Sequence, residues 1–166
     1  MRKIGFTLTL VSLFILVACS TTERAIKRNW RATEKTVRAL CERNGNAFYA
    51  TSTYSTFSFV WTYAGDSLEI YKLLKGKRQL KQVVPGVSLS LFSGKDIEDG
   101  MVELSDNSIM ELDGDLVGFC VEMDGKRYEY TYPGNIDSLK QGQYESAFIN
   151  RIVNDMNSYG IWQLKI

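Results

Sequence analysis

Apolar residues recur along this chain with two alternating periods. Between Thr21 and Asn44, the residues Ile26, Trp30, Thr33, Val37, Leu40 and Cys41 fall at three- and four-residue steps, which predicts a helix with one narrow, mainly apolar stripe. Asn44-Gly45 ends it, because glycine readily takes the left-handed conformation after a helix. From Ala47 the period drops to two. The stretch "AFYATSTYSTFSFVWTYAG" is rich in Thr, Tyr, Phe and Val and predicts a long strand that bends near Ser52 to Ser55. Ala64-Gly65-Asp66 turns into "SLEIYKLL", and "KGKR" turns into "QLKQVV", which Pro85-Gly86 ends. "VSLSLF" predicts another short strand and "SGKDIEDG" a polar loop.

Further on, Asp124-Gly125 is the dipeptide of a two-residue type I′ hairpin, in which both positions need positive φ. That turn pairs Met123 with Lys126, Val121 with Tyr128, Phe119 with Tyr130 and Val117 with Tyr132. Every pair after the first is apolar or aromatic, so register and pattern agree. Asp113-Gly114 offers a second such turn, placing Met110 opposite Val117 and predicting a three-stranded meander over residues 108–132. A helical period returns in "QYESAFINRIVNDMNSYG", with Phe148, Ile149, Ile152, Val153 and Met156 as its stripe. Gly142 delays the start of that helix, Gly160 ends it, and "IWQLKI" reads as a last strand. The predicted fold is α+β: an N-terminal helix, a curled antiparallel sheet of about seven or eight strands, a C-terminal helix and a final strand.

In "YSTFSFVWTY" the residues Phe57, Phe59, Trp61 and Tyr63 occupy every second position, which sends four aromatics to one face of a strand. That face is either an apolar groove for a lipid, acyl chain or aromatic ligand, or sheet core under the C-terminal helix. The core reading is preferred, since the 148–156 stripe needs an apolar surface to bury.

The N-terminus has its own logic. Arg2 and Lys3 precede an uncharged, mostly apolar run from Ile4 to Val17, shorter than the ~20 residues of a membrane span. The run ends in Leu16-Val17-Ala18-Cys19, which resembles the lipobox of bacterial lipoproteins. The resemblance implies that residues 1–18 are a signal peptide and that residues 19–166 form a single α+β domain. It also implies diacylglycerol on the Cys19 sulfur and an acyl chain on its new amino group, with membrane lipid as the first partner. More than one chain is what stable anchoring requires. By the same analogy, Ser20 in place of Asp points to the outer membrane and its periplasmic side.

Without the signal, 166 − 18 = 148 residues remain, with 20 − 2 = 18 basic side chains against 19 acidic ones. That balance gives no general attraction for nucleic acid. The charge is nevertheless uneven. Lys27, Arg28, Arg31, Lys35 and Arg38 crowd the first helix, while Asp96 to Asp124 holds ten acids and no Lys or Arg. The basic residues read equally as a face for anionic headgroups or as an ordinary solvated face. The acids lack the spacing of an EF-hand loop and read as a solvated edge. With no histidine, Ser-His-Asp and Cys-His catalysis and His-ligated metals are excluded. A pair of carboxylates for glycoside hydrolysis has no fixed separation here. No cofactor, metal or catalytic residue is assigned. An oxidising compartment permits a Cys41–Cys120 disulfide, but two separate buried thiols are the preferred expectation. The functional expectation is a small non-catalytic lipoprotein for binding or envelope assembly, with an envelope protein or apolar ligand as partner. The alternative is a periplasmic carrier of lipid or another apolar ligand. A leading helix, a curled sheet and internal aromatics resemble LolA/LolB-like half-barrels in architecture, and no site residues carry over from that likeness.

Overall fold

The computed structural model describes residues 3–52, 55–89, 92–106, 115–132 and 136–161, with residues 3–21 as helical backbone only. The elements are α1 (Lys3–Asn44), β1 (Asn46–Ser52), β2 (Phe57–Ala64), β3 (Ser67–Leu74), β4 (Lys77–Pro85), α2 (Gly94–Asp106), β5 (Asp115–Met123), β6 (Lys126–Tyr132), α3 (Ile136–Gln141) and α4 (Ala147–Ser158). The six strands form one open antiparallel sheet in the order β4-β3-β2-β1-β5-β6. The fold is α+β, and six described strands replace the seven or eight expected.

Strand alternation gives the sheet two faces, and each has its own core. On one, Phe48, Phe57, Phe59, Trp61, Tyr63, Ile70 and Phe119 pack with Ile97 and Leu104 of α2, Leu139 of α3 and Phe148, Ile149, Ile152 and Met156 of α4. On the other, Ala47, Val60, Tyr71, Leu73 and Cys120 pack with Leu40 and Cys41 of α1. The sheet is therefore a middle layer between α1 and the three later helices, so both faces are dry where helices lie on them.

The α1 interface is more polar than its stripe suggested. Thr33, Leu40 and Cys41 are buried as expected, but so are Asn29 and Thr36. Thr33 Oγ1 and Ser58 Oγ are 2.6 Å apart, Asn29 Nδ2 donates to Ser58 Oγ at 3.4 Å, and Asn29 Oδ1 accepts from Gly76 N at 3.3 Å. These bonds satisfy polar groups that would be costly to bury alone. They also fix the helix's position along β2.

The β5–β6 hairpin has the predicted register throughout, from Met123 opposite Lys126 to Val117 opposite Tyr132. Asp124 and Gly125 have φ of 54° and 73°, as a type I′ turn demands. Several other expectations are corrected. The long bent strand is two strands, β1 and β2, paired antiparallel with Phe48 opposite Trp61. The outer side of β5 is taken by β1, so Val117 faces Ala50 and not Met110; Met110 and the Asp113-Gly114 turn lie outside the described residues. Residues 87–89 form no strand, and residues 162–166 of the expected last strand lie outside the described residues.

The polar loop "SGKDIEDG" is the start of α2. Asp96 Oδ2 accepts from Ser93 N and Ser93 Oγ, both at 2.7 Å, and Ser93 Oγ accepts from Asp96 N at 3.4 Å, which is a capping box. The glycines that made the segment look like a loop are contact points. A Cβ on Gly100 would lie 2.9 Å from Ser146 Oγ of the α4 N-cap, and one on Gly94 would collide with the Tyr128 hydroxyl. Cys41 and Cys120, expected to be separate, are joined in a disulfide with Cα atoms 6.1 Å apart. It staples the end of α1 to the middle of β5, a pairing between positions 79 residues apart that local pattern does not encode.

Candidate functional site

The predicted residues fall into two unlike places. Phe57, Phe59, Trp61 and Tyr63 lie together on the face covered by the later helices, and all four are buried. Phe48 stacks on Trp61 at 5.7 Å between centroids and meets Phe148 of α4 at 6.2 Å. Among the described residues, these rings are packed against α4 without an open groove between them.

Tyr63 ends this row in a buried polar clamp. Its hydroxyl donates to Asp155 Oδ2 and accepts from Arg151 Nε at 2.9 Å, while Arg151 Nε lies 3.1 Å from Asp155 Oδ1. Burial raises the Asp155 carboxyl above its usual value, more than Tyr63 and Arg151 lower it. Burial likewise pushes the Tyr63 hydroxyl well above the tyrosine range, so it is a neutral donor at ordinary pH. Perturbed groups beside a cleft are a common mark of function. Here an open cleft of about 510 Å³ does run past Arg151, Asp155 and residues 86–88. The three side chains, however, direct these hydrogen bonds at one another and fasten α4 to β2.

The basic residues are different. Lys27, Arg28, Arg31, Lys35 and Arg38 are all exposed, and so is Arg24, which the expectation had omitted. At about 100° per residue, these six fall within an arc of about 100° on α1, nearly opposite buried Asn29, Thr33 and Leu40. The arc runs about 21 Å along the helix axis. One member, Lys27, pairs with Glu23 at 2.5 Å. The outward side of α1 is thus an elongated cationic face, and the same continuous helix contains Cys19.

Beside α1, where the helix leaves β5 and β6 uncovered, lies a cleft of about 380 Å³. Trp30, Val37 and Tyr49 give it an apolar wall, and Glu34, Arg38, Arg127 and Glu129 give it charged rims. Tyr49 lies over Gly118, where a Cβ would come within 2.5 Å of the ring, and its hydroxyl meets Thr131 Oγ1 at 2.8 Å. The floor is therefore built and fixed, and sequence spacing gave no sign of it. Arg127 is already held by Glu129 at 2.5 Å and Glu122 at 3.5 Å.

The far layer is acidic. In α2, Asp96, Glu98, Asp99, Glu103 and Asp106 stand against one Lys95. Glu103 accepts from the backbone N–H of Glu145 at 2.6 Å and of Ser146 at 2.9 Å, so part of this charge anchors the entry to α4. Among the described residues, no group of three or more Asp, Glu or Cys is placed to hold a metal ion, and no helix is long and apolar enough to cross a membrane. Comparison with protein families, curated proteins and solved structures finds no match for the chain.

Proposed function

We propose that the chain is a small bacterial lipoprotein, anchored through Cys19 and serving as a non-catalytic binding or assembly module on the periplasmic side of the outer membrane. The observation that carries this reading is the cationic arc of α1, lying on the same helix as Cys19 and opposite its buried stripe. Near an anionic headgroup layer each of Arg24, Arg28, Arg31, Lys35 and Arg38 would add about 1 kcal/mol of attraction, and Lys27, already held by Glu23, would add less. Together with acyl chains at Cys19, they would hold α1 along the membrane and turn acidic α2 away from it. The carrier alternative needed an open aromatic face. Burial of Phe57, Phe59, Trp61 and Tyr63 beneath helices favours the binding-module reading over it. Metabolic labelling with a fatty acid tests the anchor. Label should enter the wild-type chain, and Cys19→Ser should abolish it and leave either a precursor or a released protein. Label that persists in Cys19→Ser would overturn the lipoprotein reading.

A further inference from the structure

We propose that the outer edge of β4 is a strand-addition site for an extended, acidic segment of a partner protein. It rests on the domain being a binding module, and it does not depend on the lipid anchor.

β4 is nine residues long and pairs only with β3, so its outer backbone has no strand beside it among the described residues. Among the described residues β6, at the opposite end of the sheet, also has no further strand beside it, but α2 meets its side chains through a Lys126–Glu98 ion pair and a contact between Ser105 Oγ and Tyr130 Oη at 3.2 Å. Bare edges are normally blunted, since their free N–H and C=O groups invite pairing. This one carries such deterrents, in Lys77, Lys81, Pro85 and a one-residue bulge, yet it also puts apolar side chains into solvent. Four large hydrophobic residues are exposed among the described ones, and two lie on this strand: Leu80 at 56 % and Val83 at 50 %.

Their arrangement has a backbone cause. Residues three apart in a regular strand point to opposite faces. The register shifts between Ile70 and Tyr71, so that Tyr71 faces Leu80, Glu69 faces Val83, and Lys81 is the extra residue. This bulge places Leu80 and Val83 on one face, outboard of Tyr71, as a small apolar platform. Arg78 lies over the Tyr71 ring at 5.1 Å and borders it.

Charge selects the occupant. From Ile70 to Lys95 the chain has no Asp or Glu, while Lys75 in the β3–β4 turn and Lys77, Arg78 and Lys81 of β4 line this edge. Pairing with a second copy would set like charges across the new ladder, which is unfavourable. A segment that alternates acidic and β-branched residues would pair its backbone with β4, lay its apolar side chains on Leu80 and Val83, and bring carboxylates to the cations.

The test uses the full chain in zwitterionic detergent and a labelled peptide of about ten residues that alternates Glu and Val, long enough to span one strand. Binding should weaken with salt and should protect backbone amides within residues 77–84 from hydrogen exchange. The same peptide N-methylated at alternate amides should bind at least about tenfold more weakly, and the exposed-site variant Leu80→Asp/Val83→Asp should lose about tenfold or more. Equal binding of the methylated peptide would overturn the proposal, because attraction would then be only electrostatic. So would protection of 77–84 that rises with protein concentration without peptide, or that needs anionic vesicles instead. None of these outcomes alters acylation at Cys19, so failure here is distinct from failure of the anchor.

Discussion

Replacing Trp61 with Ala tests whether the aromatic face is core. The side chain is 0 % exposed, is stacked on Phe48 and lies opposite Ile70 of β3. Truncating a buried Trp costs about 3–5 kcal/mol, through lost transfer energy and the cavity left behind. A second variant separates packing from polarity. Trp61 Nε1 is buried with no hydrogen-bond partner among the described residues, and an unmet donor costs about 1–3 kcal/mol. Trp61→Phe loses roughly 40 Å³, worth about 1 kcal/mol as cavity, and about 1 kcal/mol more in transfer, but it removes that donor. The Phe variant should therefore lie within about 1 kcal/mol of wild type, while the Ala variant loses at least about 3 kcal/mol. Urea unfolding monitored by far-UV circular dichroism reads both, provided the denaturant slopes agree. An unchanged midpoint for Trp61→Ala would refute the core assignment. Equal losses for Ala and Phe would refute the claim that the indole N–H is unsatisfied.

Removing the disulfide with Cys41→Ser/Cys120→Ser releases a loop of 79 residues and should cost about 4 kcal/mol by loop entropy, measured as a shift in the urea midpoint; a loss under about 1 kcal/mol would mean that α1 holds its place by packing alone. Gly125→Val puts a β-branched residue at φ 73° and should destabilise the domain by at least about 1–2 kcal/mol, read by thermal unfolding. Asp155 should produce a pH signature. Its folded carboxyl is raised by burial, so the folded state holds the proton more tightly than the unfolded one. Stability should then fall as pH rises from the unfolded value of about 3.9 through the folded one. Urea midpoints across that range should show Asp155→Asn gaining on wild type as pH increases, and a trend in the other direction would mean that Arg151 and Tyr63 outweigh desolvation.

What the sequence revealed depended on how local the cause was. The β5–β6 register was legible because a two-residue Asp-Gly turn dictates which residues pair. The α4 stripe was legible because Phe148, Ile149, Ile152, Val153 and Met156 all fall on one helical face, and all are buried. α2 was missed because Gly94 and Gly100 counted against a helix, although Ser93-x-x-Asp96 is a capping box in plain view. Both glycines are required by tertiary contacts that a single segment cannot announce. The insertion of β1 beside β5 and the Cys41–Cys120 bond are likewise long-range. Of the candidate surfaces, the basic arc followed from helical spacing once α1 was recognised. The β4 platform did not, because a one-residue bulge reverses the face on which Val83 would otherwise lie.

The orientation proposed for α1 is open to a direct measurement of lysine reactivity on membranes. The protein as purified from membranes would be placed in vesicles with and without anionic lipid, and each lysine's acetylation rate read by mass spectrometry. Lys27 and Lys35 lie on the cationic arc, whereas Lys126 in the β5–β6 hairpin and Lys140 at the end of α3 lie elsewhere. The account predicts that anionic lipid slows Lys27 and Lys35, leaves Lys126 and Lys140 unchanged, and that high salt restores the rates through screening. Equal labelling of Lys27 and Lys35 on both kinds of vesicle, with protection appearing at Lys126 instead, would contradict it.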